Sequence, residues 1–187
     1  MKWNRWIVKA AKIITKFTEL GYWMTAALML AAGIYSFADR TFLADALAGS
    51  IRTGRLELSV LGFEFSVPTA NGIDMRAMLL YFAAAVVLPS LMAMIFRNLY
   101  LIIIKRSESS TVFQADNIRM LREIGIFAIS IPLMGLALST VCRLILGTDT
   151  VETSVRLYGF SMGLVILCLT QFFARGVELE QDVEGLV

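Results

Sequence analysis

Four stretches of this chain, residues 17–37, 77–104, 124–142 and 157–174, are almost entirely apolar. Their length limits the fold. A helix crossing the hydrocarbon core of a bilayer needs about 20 mostly apolar residues at about 1.5 Å each. That core has no water to pair with exposed backbone groups, so a crossing segment of this kind is helical. The competing reading makes the same helices the core of a soluble domain. At 58% hydrophobic and 17% charged residues, too little amphipathic sequence is left to cover such a core. The sequence therefore predicts an all-α integral membrane protein: four transmembrane helices in a single domain, 1–187, with both termini on one side.

Lys2, Arg5, Lys9, Lys12 and Lys16 precede the first run, as in a signal peptide. The run is longer than a signal core and opens on Tyr22 and Trp23, which suit an interfacial belt, so a retained anchor is expected. Those five cations with Lys105, Arg106, Arg119, Arg122 and Arg175 place ten on the side of the termini. Arg40, Arg52, Arg55, Arg76, Arg143 and Arg156 place six on the other. This bias predicts that both termini are cytoplasmic. At 100° per residue the five N-terminal cations fall within an arc of about 80°, opposite Trp3, Trp6, Ile7, Ile14 and Phe17. Residues 1–16 are thus expected to form an amphipathic helix on the inner surface, its cations toward anionic headgroups.

The segment 39–76 contains the only two-residue periodicity. "RLELSV" and "FEFSV" flank Leu61 and Gly62, so Leu56, Leu58 and Val60 share a face with Phe63, Phe65 and Val67 across a two-residue turn. A small extracytoplasmic β-hairpin is expected. Because an isolated hairpin is marginal in water, its apolar face must pack on the outer ends of the spans, the membrane surface or another protein, as a lid or, alternatively, as a ligand or partner site. Pro68 and the pair Asn71 and Gly72 then break the chain before the second span.

Charge inside a span costs about 2.5–3.5 kcal/mol per residue. Arg97 and Asn98 interrupt the second run. With the boundary near Phe96, Arg97 snorkels to the inner surface and the apolar turn after it enters the cytoplasm. A polar helix within 105–123, capped at Ser110 or Thr111, can cover that turn with Val112, Phe113, Ile118 and Leu121. The tail 175–187 alternates Val177, Leu179 and Val183 with Glu178, Glu180, Asp182 and Glu184. Its acids are expected to clamp onto Arg97, Arg119 or Arg122.

Gly159 and Gly163 have the G-x-x-x-G spacing that brings helices close, within this chain or between copies. Pro89 and Pro132 predict kinks. The sequence has no histidine, Cys142 and Cys168 fall in different runs, and no carboxylate lies in the middle of a run. These features argue against a Cys/His metal site, a thiol redox pair, a cofactor and an ion-coupled transporter. Ser90, Ser130, Ser139, Ser161 and Thr170 are expected to hydrogen-bond the preceding turn or a neighbouring helix.

The stretch "VFQADNIRMLREIG", after an apolar span, resembles a signature of the bacterial membrane proteins catalogued as domain of unknown function 2975, as does the ending "FFARGVELEQDVEGLV". The matching positions are Phe113, Asn117, Leu121, Gly125, Gly176, Leu179 and Asp182. Val112 stands where that family commonly has proline. The resemblance implies a four-helix protein of the bacterial inner membrane, often encoded beside a small helix-turn-helix regulator, and it supplies no catalytic residue.

The resulting expectation is a non-catalytic regulatory or interaction protein that touches membrane lipids but not nucleic acid. Phe113, Asn117, Arg119, Arg122, Glu178, Glu180 and Asp182 are its candidate surface for a cytoplasmic protein partner. The alternative is a homo-oligomeric channel or an accessory subunit of a larger transport or respiratory complex, with Arg97, Asn98, Gly159 and Gly163 lining a pore or seam.

Overall fold

The computed structural model describes residues 5–38, 55–68, 74–108, 115–146 and 152–184. Helix α1 (Arg5–Ala38) leads to strands β1 (Arg55–Val60) and β2 (Phe63–Pro68), followed by helices α2 (Met75–Glu108) and α3 (Ala115–Leu146), strand β3 (Glu152–Val155) and helix α4 (Tyr158–Glu184). All four helices are long and apolar enough to cross a membrane, so this is a multi-pass membrane protein. The pair at Asn71 and Gly72 and the segment 39–54 lie outside the described residues.

Three segments expected to be separate are continuous with the spans. The described part of 1–16 forms the first turns of α1, residues 115–123 open α3, and the tail prolongs α4 to Glu184. The physical reason is that extending a helix is far easier than nucleating one. Neither proline nor glycine stands at Lys16–Phe17, Glu123–Ile124 or Ala174–Arg175 to stop it. At 34 residues α1 is roughly 51 Å long, well beyond a hydrocarbon core of about 30 Å. Its basic end does not turn aside onto a surface. Thr15 and Glu19 are buried, and the Lys16 ammonium lies over the Tyr100 ring of α2 at 5.1 Å.

The helices form an open row, α1 on α2, α2 on α3 and α3 on α4. The inner face of α1 is Thr15, Glu19, Tyr22, Ala26, Met29, Gly33 and Ser36, all buried or half-buried. Their spacing alternates four and three, the heptad period of helices that coil gently together. Small and polar side chains point inward, while Phe17, Leu20, Met24, Leu28 and Ile34 are exposed. That inversion suits lipid, where close packing rather than apolar burial joins helices. A side chain on Gly33 would press on Phe82 at 3.3 Å.

Contacts along the row fix its register. Tyr22 stacks on Phe96 at 5.6 Å, Asn98 meets Glu123, and Lys105 meets Asp116. These contacts align the uncharged runs 20–38, 77–96 and 124–142, each about as long as the hydrocarbon core is thick. α4 is displaced. A side chain on Gly125 would meet Leu167 and one on Gly163 would meet Ile129. Extended along two antiparallel helices, that register sets Tyr158 beside Met134, near the middle of α3.

A three-stranded antiparallel sheet, in the order β1-β2-β3, fills the space beside the rest of α3. The hairpin has the expected register, with Leu56 opposite Val67, Leu58 opposite Phe65 and Val60 opposite Phe63. Leu61 and Gly62 both adopt positive φ, 43° and 87°, the pairing whose twist suits a two-residue hairpin turn. The left-handed conformation costs Leu61 about 1–2 kcal/mol, and its packing on the core offsets this. The unexpected strand is β3, four residues in the α3–α4 connection paired to β2. The Arg156 amide donates to the Gly62 carbonyl at 2.6 Å, and the Arg156 guanidinium pairs with Glu64 at 2.9 Å.

The hairpin packs along the helices rather than lying across their ends. Phe63, Phe65 and Val67 join Ala77, Met78, Tyr81 and Leu88 of α2 and Ile131 of α3 in one core. The Phe63 ring occupies the space a side chain on Gly135 would need, and the Leu61 carbonyl does the same at Gly159. We expect Phe63→Ala to cost about 3–5 kcal/mol, measured by unfolding in mixed micelles followed by circular dichroism. Leu144→Ala, at an 81% exposed position, should cost under about 0.5 kcal/mol.

Candidate functional site at the charged end of the row

Beyond the aligned uncharged runs, on the side away from the sheet, α1, α2, α3 and α4 bring together most of the described charges. Two clusters hold them in place. Glu123 of α3 uses both oxygens: Oε2 accepts from Asn98 Nδ2 of α2 at 2.9 Å, and Oε1 accepts from Arg119 Nε one turn earlier at 3.2 Å. Lys105 of α2 reaches Asp116 in the first turn of α3 at 2.7 Å. Asn98 is therefore a buried tie between α2 and α3.

Glu19 is a site residue that the sequence reading passed over, because it lies at the end of its run rather than in the middle. Its side chain is only 8% exposed and pairs with Lys16 at 2.9 Å. A carboxylate buried against a neighbouring helix requires such a partner. Its place in the heptad seam of α1 was the available signal.

The expected partner-binding residues are divided. Arg119 and Arg122 are exposed, as are Arg97 and Glu178. Asn117 is turned inward, 9% exposed, with its Oδ1 accepting no hydrogen bond. Phe113 lies outside the described residues, while Glu180 and Asp182 are on α4 with side chains outside the described set. The expected clamp by the tail acids Glu180, Asp182 and Glu184 falls on side chains outside the described set, while Arg119 pairs with Glu123 on its own helix (i, i+4). Such exposed pairs contribute under about 1 kcal/mol.

The glycine pair is spent within the chain, Gly159 on the hairpin turn and Gly163 on α3, where the nearest atoms include the Gly125 carbonyl. The hydroxyls behave as expected: Ser90 donates to the Val86 carbonyl, Ser130 to Ile126, Ser161 to Leu157 and Thr170 to Ile166, at 2.7–3.0 Å. Cys142 is buried, Cys168 is exposed, and neither is in a disulfide. What this end offers is charge held in fixed positions.

Comparison with protein families, curated proteins and solved structures finds no match to this chain.

The Asn98–Glu123 tie has a measurable strength. A double-mutant cycle with Asn98→Ala and Glu123→Ala should give a coupling near 0.6 kcal/mol and no more than about 1.7 kcal/mol, the range of interhelical hydrogen bonds in membranes. Zero coupling would mean the two side chains do not meet.

Proposed function

We propose that this chain is a non-catalytic multi-pass protein of the bacterial inner membrane, with both termini cytoplasmic, whose charged end docks a cytoplasmic protein. The observation that supports this is the division of charge at that end. Lys105–Asp116 and Arg119–Glu123 brace the helices, while Arg97, Arg122 and Glu178 stay exposed beside them and make no ion pair among the described residues. Long side chains held above a rigid row suit a partner with complementary charges, because rim charges steer association and choose partners. The excess of Lys and Arg on the terminal side supports the orientation. Resemblance of residues 112–125 to the family catalogued as domain of unknown function 2975 points to a helix-turn-helix regulator as the partner. Arg97→Glu combined with Glu178→Arg, which leaves both braces intact, should remove a specific protein recovered with the wild-type chain from native membranes. An unchanged set of recovered proteins would contradict the reading.

A second reading, an accessory subunit of a larger membrane complex or an oligomer, draws support from the open row. Among the described residues α1 and α4 each pack mainly on one neighbouring helix, and both leave most of their surface uncovered. Mass determination after purification in mild detergent separates the two: a monomer favours the docking platform, and a fixed larger assembly favours the subunit.

A further inference from the structure

Between α3 and α4, at the charged end, runs an open groove of about 370 Å³ lined by Arg122, Ile126, Leu167, Cys168, Thr170 and Gln171. We propose that it binds an anionic phospholipid, with the lipid phosphate at Arg122 and one acyl chain along the groove toward Ile126 and Leu167. This goes beyond the docking of a protein partner and does not depend on it.

Three observations combine. The first is depth: Arg122 is the last cation of α3 before the uncharged run 124–142, and the aligned runs place it just past the hydrocarbon boundary, where phosphates lie. The second is charge. Arg122 is exposed and makes no ion pair among the described residues, in contrast to Arg119 one turn earlier. Among the described residues Arg122 is the one charged side chain lining the groove. A guanidinium suits a phosphate because its fork can donate two parallel hydrogen bonds. The third is shape and lining. Thr170 is buried and its hydroxyl is already committed to the Ile166 carbonyl, so the floor offers little to a polar solute. Ile126 and Leu167 supply apolar walls leading into the membrane. A free anion would use the polar mouth at Arg122 and Gln171 alone, whereas a phospholipid matches both the cation and the apolar track.

The test uses the full chain in nanodiscs made from equal parts phosphatidylcholine and phosphatidylglycerol, with lipid retention read by native mass spectrometry. The wild type should keep phosphatidylglycerol in preference to phosphatidylcholine. Arg122→Gln should lower phosphatidylglycerol retention about five-fold, the effect of one cation near an anionic surface. Ile126→Trp, which fills the groove and keeps the cation, should also lower it. Thermal unfolding close to wild type confirms that both variants fold, and Arg122→Lys provides a milder change expected to fall between wild type and Arg122→Gln. Equal retention of the two lipids, or retention unaffected by either variant, overturns the proposal. Stabilisation of delipidated protein by inorganic phosphate through Arg122, without preferential phosphatidylglycerol retention, overturns it in favour of a free-anion site.

Discussion

The structure depends on the contact between the hairpin and α3, where the Phe63 ring lies in the space left open by Gly135. α4 begins near the middle of α3, so without the sheet the rest of α3 and the facing side of α2 would lack a protein neighbour. The sheet takes that place with its apolar face inward, and Phe63, Phe65 and Val67 are almost wholly buried. The turn at Leu61 and Gly62 then sits against Gly159 and the Arg156 backbone, so the hairpin tip and the start of α4 hold each other. The other face of the sheet carries Glu57, Ser59, Glu64 and Ser154, with Arg156 bound to Glu64 at its edge. At the same level, α3 exposes Leu136, Val141 and Leu144 elsewhere on its surface. One half of the row therefore has an apolar wall suited to lipid and a polar wall suited to water.

The other half relies on different physics. There the helices are joined by short interhelical ties rather than by a shared apolar core: Tyr22 on Phe96, Lys16 over Tyr100, Asn98 on Glu123 and Lys105 on Asp116. Charged groups can serve in this role because they lie beyond the uncharged runs, where water meets whatever the protein leaves unsatisfied. The glycines at 125 and 163 let α3 and α4 approach most closely between the two halves. Below that crossing the two helices leave the groove with Arg122 at its mouth.

Much of this was legible in the sequence. Run length alone identified the four helices, and strict alternation gave the hairpin its register and buried face. The intrahelical bonds of the hydroxyls followed from their lack of other partners in apolar surroundings. What was not legible depended on long-range packing. "ETSV" is too short to announce a strand, and β3 forms because the hairpin presents an open edge beside it. The seam of α1 from Thr15 to Ser36 is hidden by its composition, since a search for an apolar stripe finds the lipid-facing side instead. Glu19 was missed because a search for carboxylates in the middle of a run passes over one at its end. The merging of the expected surface helix, cytoplasmic helix and tail into the spans follows from helix propagation, which a reading by polarity divides at every change of composition.

The central claim is that the sheet's polar face meets water at a level where the opposite wall meets lipid. Single cysteines at Ser59 and at Leu136, in a background lacking Cys142 and Cys168, test it directly in opened membrane fragments, where a water-soluble maleimide reaches both surfaces. The account predicts rapid labelling at Ser59→Cys and almost none at Leu136→Cys. Labelling at Leu136→Cys with protection at Ser59→Cys would contradict it.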